Sequence, residues 1–163
     1  MTIQKETLAK YSGDLFIETG THVGHGIQKA LDCGFTEIHS IESDSERRKT
    51  AAFRFQDTSG VLIYGGDSGK TLPVILANIT RPAVFWLDAH WGGRTSLLIE
   101  LACIKKHPIK THTILIDDVR LFGSWKTSVS AVQGLLLDIN PDYRFIFEDG
   151  FREKDILVAT PVP

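Results

Sequence analysis

The stretch Phe16–Gly26, FIETGTHVGHG, joins an apolar run to a turn with glycines at positions 20, 24 and 26. The apolar run is typical of a buried strand, and a helical pattern begins beyond the turn. Gly20 permits a sharp turn because it has no Cβ, and Gly24 permits close approach to a ligand or helix. A strand, a glycine turn and a helix together predict a ligand site at the carboxyl end of that strand.

The glycine spacing decides which ligand the turn could bind. A dinucleotide fingerprint, G-x-G-x-x-G, does not match these positions, and the GGDSGKT segment has Tyr64 where a phosphate loop needs its first glycine. The pattern acidic-x-Gly-x-Gly-x-Gly is matched at Glu18, Gly20 and Gly24, with His22 in the middle glycine place. A turn that only connects strand to helix is also compatible with the sequence.

Apolar runs of strand length alternate with helix-length segments along the chain. Strands are predicted at Leu15–Thr19, Glu37–Glu42, Val61–Tyr64, Ala83–Asp88 and Thr113–Asp117, and helices at Thr2–Tyr11, Gly26–Cys33, Ser45–Phe55, Leu72–Ile79, Ser96–His107 and Val129–Asp138. Repeated strand-then-helix units predict a parallel sheet covered on both faces. The segment YRFIFEDGFREKDILVAT, Tyr143–Thr160, contains two strand-like runs joined too closely for a parallel crossover, so it predicts an antiparallel hairpin.

This combination resembles the class I S-adenosylmethionine-dependent methyltransferases, and the resemblance covers nearly the whole chain at the level of the fold. It rests on the ETGTHVG motif and on the terminal hairpin. It implies a three-layer α/β/α Rossmann-like fold with a mostly parallel seven-stranded sheet in the order 3-2-1-4-5-7-6. A length of 163 residues allows one ordinary core, so a single domain, residues 1–163, is expected.

The resemblance implies S-adenosylmethionine as the cofactor and assigns residues to its site. Glu42 ends the second strand, where a carboxylate can accept hydrogen bonds from a ribose diol and would repel phosphate. Asp67 follows the third strand and is implied to contact the adenine amino group, although an Asp–Ser pair there could equally cap the next helix. The expected cofactor-binding residues are Glu18, Gly20, Thr21, Gly24, Glu42, Ser43, Asp67, Ser68 and Asp88.

Carboxylates at the ends of the fourth and fifth strands suggest where the chemistry takes place. Asp88, Asp117 and Asp118 should lie close together, and a cluster of oxygen ligands suits Mg²⁺ or another divalent cation better than zinc. This resembles the metal-dependent O-methyltransferases of the catechol and sugar type, although Asp118 replaces the asparagine of the catechol type. His90 could take the acceptor's proton instead, so His90 and Asp88 are the catalytic candidates. Capping of loops and helix starts is the alternative role for the acidic trio.

Composition limits the partners. Apolar residues make up 42% and charged residues 23% of the chain, as in globular proteins, and a net charge of -2 gives no reason to expect nucleic acid. Neither a signal-peptide-like run nor a membrane-spanning run is found, so a cytoplasmic location without membrane partners is expected. Cys33 and Cys103 lack a metal or redox spacing and are expected to be free thiols.

The predicted activity is methyl transfer from S-adenosylmethionine to an oxygen of a small molecule such as a sugar. No insertion long enough to cover an acceptor is apparent, so loops of this chain or a second subunit, as in a homodimer, must complete the acceptor site. Two other functions stay open: a catalytically degenerate cofactor-binding domain acting as a partner subunit, and an NAD-type oxidoreductase. Glycine spacing and the terminal hairpin argue against the oxidoreductase.

Overall fold

The fold is a twisted sheet of seven strands with helices on both faces. The computed structural model describes residues 3–11, 13–91 and 93–162. The strands are β1 (Leu15–Thr19), β2 (Glu37–Glu42), β3 (Val61–Gly65), β4 (Val84–Leu87), β5 (Thr113–Ile116), β6 (Arg144–Glu148) and β7 (Ile156–Thr160). Their order is β3-β2-β1-β4-β5-β7-β6, and β7 pairs antiparallel with both β5 and β6. The predicted sheet order and terminal hairpin are therefore confirmed.

In the described residues six α-helices cover the sheet: α1 (Lys5–Leu8), α2 (His25–Asp32), α3 (Ser45–Arg54), α4 (Ser68–Leu76), α5 (Leu97–Lys106) and α6 (Val129–Ile139). Alternate strand side chains point to opposite faces, so each strand contributes to two cores. Ile17 and Phe85 pack in the core formed with α4, α5 and α6, whereas Phe16 and Trp86 pack in the core formed with α1 and α2. None of the helices in the described residues is long and apolar enough to cross a membrane.

Two helices differ from their predicted bounds by more than one residue at an end. The leading helix is only four residues long, and Thr2 lies outside the described residues. Beyond Leu8 the chain turns, which lets the Tyr11 hydroxyl donate a hydrogen bond to Glu148 on β6 at 2.9 Å. Hydrogen bonding to a distant strand therefore overrides the local helical pattern.

Helix α4 begins four residues earlier than predicted and contains Pro73. A proline inside a helix lacks the N–H that would bond to the carbonyl four residues before it. That carbonyl belongs to Gly69, and the thiol of Cys103 on α5 donates to it at 3.7 Å. This contact partly replaces the missing helical bond, so the helix continues through the proline. Both cysteines are free thiols, as predicted.

The strand register brings the site residues to one edge. Thr19 at the end of β1 pairs with Ile41 on one side and with Leu87 on the other, and Leu87 pairs with Ile116. The residues that follow these positions therefore leave the sheet at the same level. These are Gly20, Glu42, Asp88 and Asp117.

Candidate functional site

The glycine turn after β1 passes very close to the end of β4. Gly20 has a φ of 89°, and a Cβ there would lie 2.6 Å from the carbonyl oxygen of Asp88. The N–H groups of Gly20 and Thr21 both donate to the Ile41 carbonyl, at 2.9 and 3.1 Å. Because these N–H groups are used within the protein, the turn does not offer them to a phosphate.

A cavity of about 950 Å³ opens at this edge of the sheet. Its lining comes from the glycine turn, the ends of β2, β3 and β4, the start of α5 and the short ribbon that pairs His90–Trp91 with Arg94–Thr95. The described residues that line it include Gly20, Thr21, Glu42, Ser43, Asp67, Ser68, Asp88 and His90, all of them predicted site residues. A cavity of this size and position is typical of a small-molecule site in an open α/β sheet.

Glu42 is fixed by the backbone around it. Its carboxylate accepts the N–H of His22 at 2.6 Å and the N–H of Asp44 at 2.9 Å, one bond to each oxygen. Each carboxylate oxygen can accept a further hydrogen bond. Glu42 therefore fixes the glycine turn, and its carboxylate oxygens can still accept hydrogen bonds from a ligand in the cavity.

Asp67 occupies the N-cap position of α4, but within the described residues its side chain makes no capping hydrogen bond. Asp44 shows the contrast, because its carboxylate caps α3 by accepting the N–H groups of Glu46 and Arg47. The Asp67 carboxylate is exposed and lines the cavity. It is thus available to a ligand, which favours the binding role over the capping role.

Two predicted cofactor residues do not line the cavity. Glu18 is only 1% exposed and is hydrogen-bonded to the Ser40 hydroxyl. Burial raises the pKa of Glu18 to about 8, although the contact with Ser40 opposes this shift. Gly24 has a φ of 85°, and a Cβ there would lie 2.4 Å from the ring of Phe55. Packing between the start of α2 and the end of α3 therefore explains why residue 24 is a glycine.

The ends of β4 and β5 form the acidic part of the site. Burial and repulsion by Asp117 and Asp118 raise the pKa of Asp88 to about 9, and burial and Asp118 raise that of Asp117 to about 7. Burial alone would raise the pKa of Asp118, but the neighbouring His90 and Arg120 side chains lower it below its ordinary value. Its carboxylate lies 2.5 Å from His90 Nε2 and 2.5 Å from Arg120.

The predicted metal ligands fall into two overlapping groups. Asp88, His90 and Asp118 bring ligand atoms within 4.8 Å of one another, as do Asp117, Asp118 and Asp155. Asp118 belongs to both groups, whereas Asp88 and Asp117 are not in the same one. Arg120 contacts the carboxylates of Asp118 and Asp155. Carboxylate oxygens with one imidazole are a donor set that suits a divalent cation, and such a cation would relieve the repulsion around Asp88.

Ser40, Arg120 and Asp155 belong to this part of the molecule and were not predicted. Ser40 had one usable signal, because a hydroxyl inside a strand buried on both faces needs a hydrogen-bond partner. Arg120 and Asp155 are 35 residues apart in the sequence and meet only because the terminal hairpin returns beside β5. No local pattern gives that contact.

Comparison with known proteins identifies the fold. No family model matches the sequence, and no curated protein sequence does. Among solved structures, the SAH-bound methyltransferase PaMTH1 of Podospora anserina superposes with a TM-score of 0.70 at 12% identity, over 98% of this chain and 76% of that one. A Klebsiella pneumoniae protein provisionally described as an O-methyltransferase gives 0.60 at 16% identity, over 96% and 76% of the two chains.

An rRNA methylase of Streptococcus thermophilus gives a TM-score of 0.64 at 14% identity, over 98% of this chain and 94% of that one. The chain therefore has the Rossmann-like fold of the class I S-adenosylmethionine-dependent methyltransferases, as predicted. One of these structures is an rRNA methylase and another is described as an O-methyltransferase, so the fold does not specify the acceptor.

Proposed function

We propose that this protein transfers a methyl group from S-adenosylmethionine to an oxygen of a small hydroxylated acceptor. The observation that carries the proposal is the pair of carboxylates, Glu42 and Asp67, that line one cavity beside the glycine turn. In this arrangement Glu42 accepts hydrogen bonds from the ribose diol and Asp67 accepts one from the adenine amino group. The methionine end then lies against Gly20 and Thr21, and the sulfonium methyl group faces Asp88 and His90.

The acidic lining also favours this cofactor over a nucleotide with phosphates. The carboxylates of Glu42, Asp44 and Asp67 outnumber the two arginines, Arg47 and Arg94, in the lining of the cavity, so the lining favours a cation over a phosphate. The N–H groups of Gly20, Thr21 and His22 are used by Ile41 and Glu42. A sulfonium cofactor, which carries positive charge, fits such a site better than a dinucleotide does.

The reaction is an in-line displacement in which the acceptor oxygen attacks the methyl carbon. The new C–O bond forms as the S–C bond breaks, and S-adenosylhomocysteine leaves. The acceptor's proton goes to His90. Nε2 of His90 lies 2.5 Å from the Asp118 carboxylate, which is proposed as its partner, so Nδ1 is the nitrogen proposed to accept the proton.

A divalent cation fits the same end of the cavity. Asp88 and Asp118 would hold it, with His90 within reach. When bound, it would lower the pKa of an acceptor hydroxyl as a Lewis acid. Asp118 would then carry two tasks, as a ligand and as the partner of His90.

The acceptor is proposed to be a small molecule, such as a sugar, because the site is a cavity and the net charge is -2. Two short segments contribute to the lining of the cavity, namely the ribbon carrying Arg94 and the turn carrying His22. A second copy of the chain is the proposed source of any further cover. The protein is proposed to act in the cytoplasm, where S-adenosylmethionine is available.

Calorimetric titration with S-adenosylmethionine, S-adenosylhomocysteine and NAD, each with and without Mg²⁺, tests the cofactor. We expect micromolar affinity for the first two and none for NAD. A chain that binds only NAD, or none of the three, would contradict the proposal. Methyl transfer from labelled cofactor to a panel of sugars and phenols then tests the activity. Binding without transfer to any acceptor would favour the degenerate partner subunit.

The variant His90→Gln separates binding from chemistry. It removes the basic nitrogen but leaves Glu42 and Asp67 in place. We expect unchanged affinity for S-adenosylhomocysteine and a loss of turnover on the order of 100-fold, as is common for loss of a general base. Full turnover in this variant would remove His90 from the mechanism. Chelator treatment of the wild type measures the contribution of the metal in the same assay.

A further inference from the structure

Three buried polar side chains connect the core of the sheet to the cavity. The Ser40 hydroxyl, in the middle of β2, is hydrogen-bonded to Glu18 Oε2 at 2.6 Å. Ser40 Oγ also lies 2.6 Å from Thr21 Oγ1 in the glycine turn. Glu18, Ser40 and Thr21 are 1%, 0% and 2% exposed, and only Thr21 lines the cavity. The three groups form a continuous hydrogen-bonded chain that reaches the ligand at one end.

The number of protons available fixes the direction of this chain. Each hydroxyl donates one hydrogen bond. If the Glu18 carboxyl is ionised, Ser40 donates to it and Thr21 donates to Ser40, so that Thr21 offers a ligand only lone pairs. If Glu18 is protonated, it donates to Ser40, Ser40 donates to Thr21, and the Thr21 O–H is free. Burial, which raises the pKa of Glu18 to about 8, favours the second arrangement at neutral pH.

The surroundings of Thr21 make its hydroxyl important. The backbone N–H groups of Gly20 and Thr21 donate to Ile41, that of His22 donates to Glu42, and that of Gly24 donates to the Thr21 carbonyl. These N–H groups cannot also bind the carboxylate of an amino-acid ligand. Within this turn, the Thr21 hydroxyl is then a donor that the protein leaves free for that purpose.

We infer that Ser40 is a positioning residue for the cofactor. The Ser40 hydroxyl accepts a hydrogen bond from the Glu18 carboxyl and donates one to the Thr21 oxygen. The Thr21 O–H is thereby directed at the carboxylate of the bound methionine end. This inference rests on the proposed function, because it assumes an amino-acid ligand at the turn. It assigns Glu18 an indirect role, through Ser40 and Thr21.

A set of variants tests the chain by calorimetry with S-adenosylhomocysteine. Thr21→Val keeps the shape of the side chain and removes the hydroxyl, whereas Thr21→Ser keeps the hydroxyl and removes the methyl group. Ser40→Ala removes the middle link. We expect Thr21→Val and Ser40→Ala each to weaken binding about three- to tenfold, and Thr21→Ser to bind within about twofold of the wild type. Chemical unfolding of each variant shows whether it is folded, and Ser40→Cys replaces Ser40→Ala if the alanine variant is not.

The double variant Thr21→Val/Ser40→Ala distinguishes positioning through Thr21 from a purely structural role of Ser40. If Ser40 acts through Thr21, the two losses do not multiply, and the double variant binds about as well as Thr21→Val alone. Multiplying losses, or wild-type affinity in folded Ser40→Ala, would overturn the inference while the cofactor assignment stands. A wild type that binds no S-adenosylhomocysteine would overturn the proposed function and the inference with it.

Discussion

Glu42 has a structural task and a ligand-binding task at once. Replacing it by glutamine removes the charge and places an NH₂ group against the N–H of either His22 or Asp44. Hydrogen bonds to charged groups contribute about 1.5–3 kcal/mol, so we expect Glu42→Gln to weaken S-adenosylhomocysteine binding about 10- to 100-fold. Calorimetry gives the affinity. Glu37→Gln, at the far end of the same strand, is the matched control and should bind normally. Wild-type affinity in folded Glu42→Gln would exclude the ribose assignment.

Single residues were predictable where they follow a strand. Glu42, Asp67 and Asp88 could be placed in the site because the carboxyl ends of parallel strands meet at one edge. The resemblance implies direct contact between Glu18 and the cofactor, but the Glu18 side chain points into the sheet toward Ser40. The sequence does not show which way the last residues of a strand turn when both faces are buried. The Asp155–Arg120 contact requires the sheet order first.

At the scale of elements, the packing of α2 against the end of α3 depends on Gly24. Alanine there would have an unfavourable positive φ and would also meet the Phe55 ring. Gly34, after α2, has a similar φ of 92°, but no described heavy atom lies within 4 Å of the point where an alanine methyl group would sit. Gly34→Ala therefore isolates the backbone cost of about 1–2 kcal/mol. We expect Gly24→Ala to destabilise the fold by about 2 kcal/mol more than Gly34→Ala. Urea unfolding measures both, and equal losses would show that Phe55 adapts without cost.

A second contact between elements links α5 to the starts of β4 and β5. The Ala83 N–H donates to His112 Nδ1 at 3.0 Å, which leaves His112 Nε2–H to donate to His107 Nδ1 at 3.0 Å. His107 Nε2–H then donates to the Ile79 carbonyl at 3.1 Å. In this series of hydrogen bonds, Nδ1 of each imidazole is an acceptor. Burial is the main reason that the pKa of His112 is lowered to about 4.

The lowered pKa of His112 predicts a loss of stability in acid. The unfolded chain binds a proton at His112 near pH 6.5 but the folded chain only near pH 4, so the contribution is present above pH 6.5 and is lost as the pH falls toward 4. At pH 4 and below, the free energy of unfolding is lower by about 3 kcal/mol for this reason. His112→Asn offers an amide oxygen to Ala83 and does not titrate. We expect the wild type to lose stability relative to His112→Asn between pH 6.5 and 4, measured by urea unfolding; parallel curves would contradict this.

The elements that the sequence predicts well are those set by local pattern. Strands β1 and β2 have the predicted bounds, because their apolar runs end in residues that leave the sheet. The predicted helix Leu72–Ile79 has Pro73 in its first turn, where proline is tolerated, whereas α4 begins at Ser68 and has Pro73 in its interior. The thiol of Cys103 that supports this longer start comes from another helix. Tertiary contacts decide such boundaries.

For the molecule as a whole, the net charge of -2 conceals a local excess of acid at one edge of the sheet. Burial raises the pKa of Glu18 to about 8, of Asp88 to about 9, and of Glu100 and Asp117 to about 7. These groups lie at or beneath the cavity that is proposed to bind a positively charged cofactor. The same concentration of carboxylates that favours a sulfonium ligand or a cation therefore makes the free protein less stable as they ionise.

This arrangement predicts that the free protein loses stability as the pH rises from 6 to 8. Glu18 shows the sign: the unfolded chain releases its proton near pH 4.5 and the folded chain only near pH 8, so the folded state binds more protons in between. Its contribution is fully present below pH 4.5 and is lost as the pH rises through 8. Between pH 6 and 8, Glu18 alone lowers the free energy of unfolding by roughly 2–3 kcal/mol.

The variant Glu18→Gln isolates this contribution, because glutamine keeps a hydrogen bond to Ser40 and does not titrate. We expect the free energy of unfolding of the wild type to fall relative to that of Glu18→Gln by about 1.4 kcal/mol per pH unit near pH 6, and by about half as much per unit at pH 8. Urea unfolding at several pH values in that range gives the slope. The same slope in both proteins would mean that Glu18 is ionised in the folded state, and the Ser40 hydroxyl would then donate toward Glu18 instead of toward Thr21.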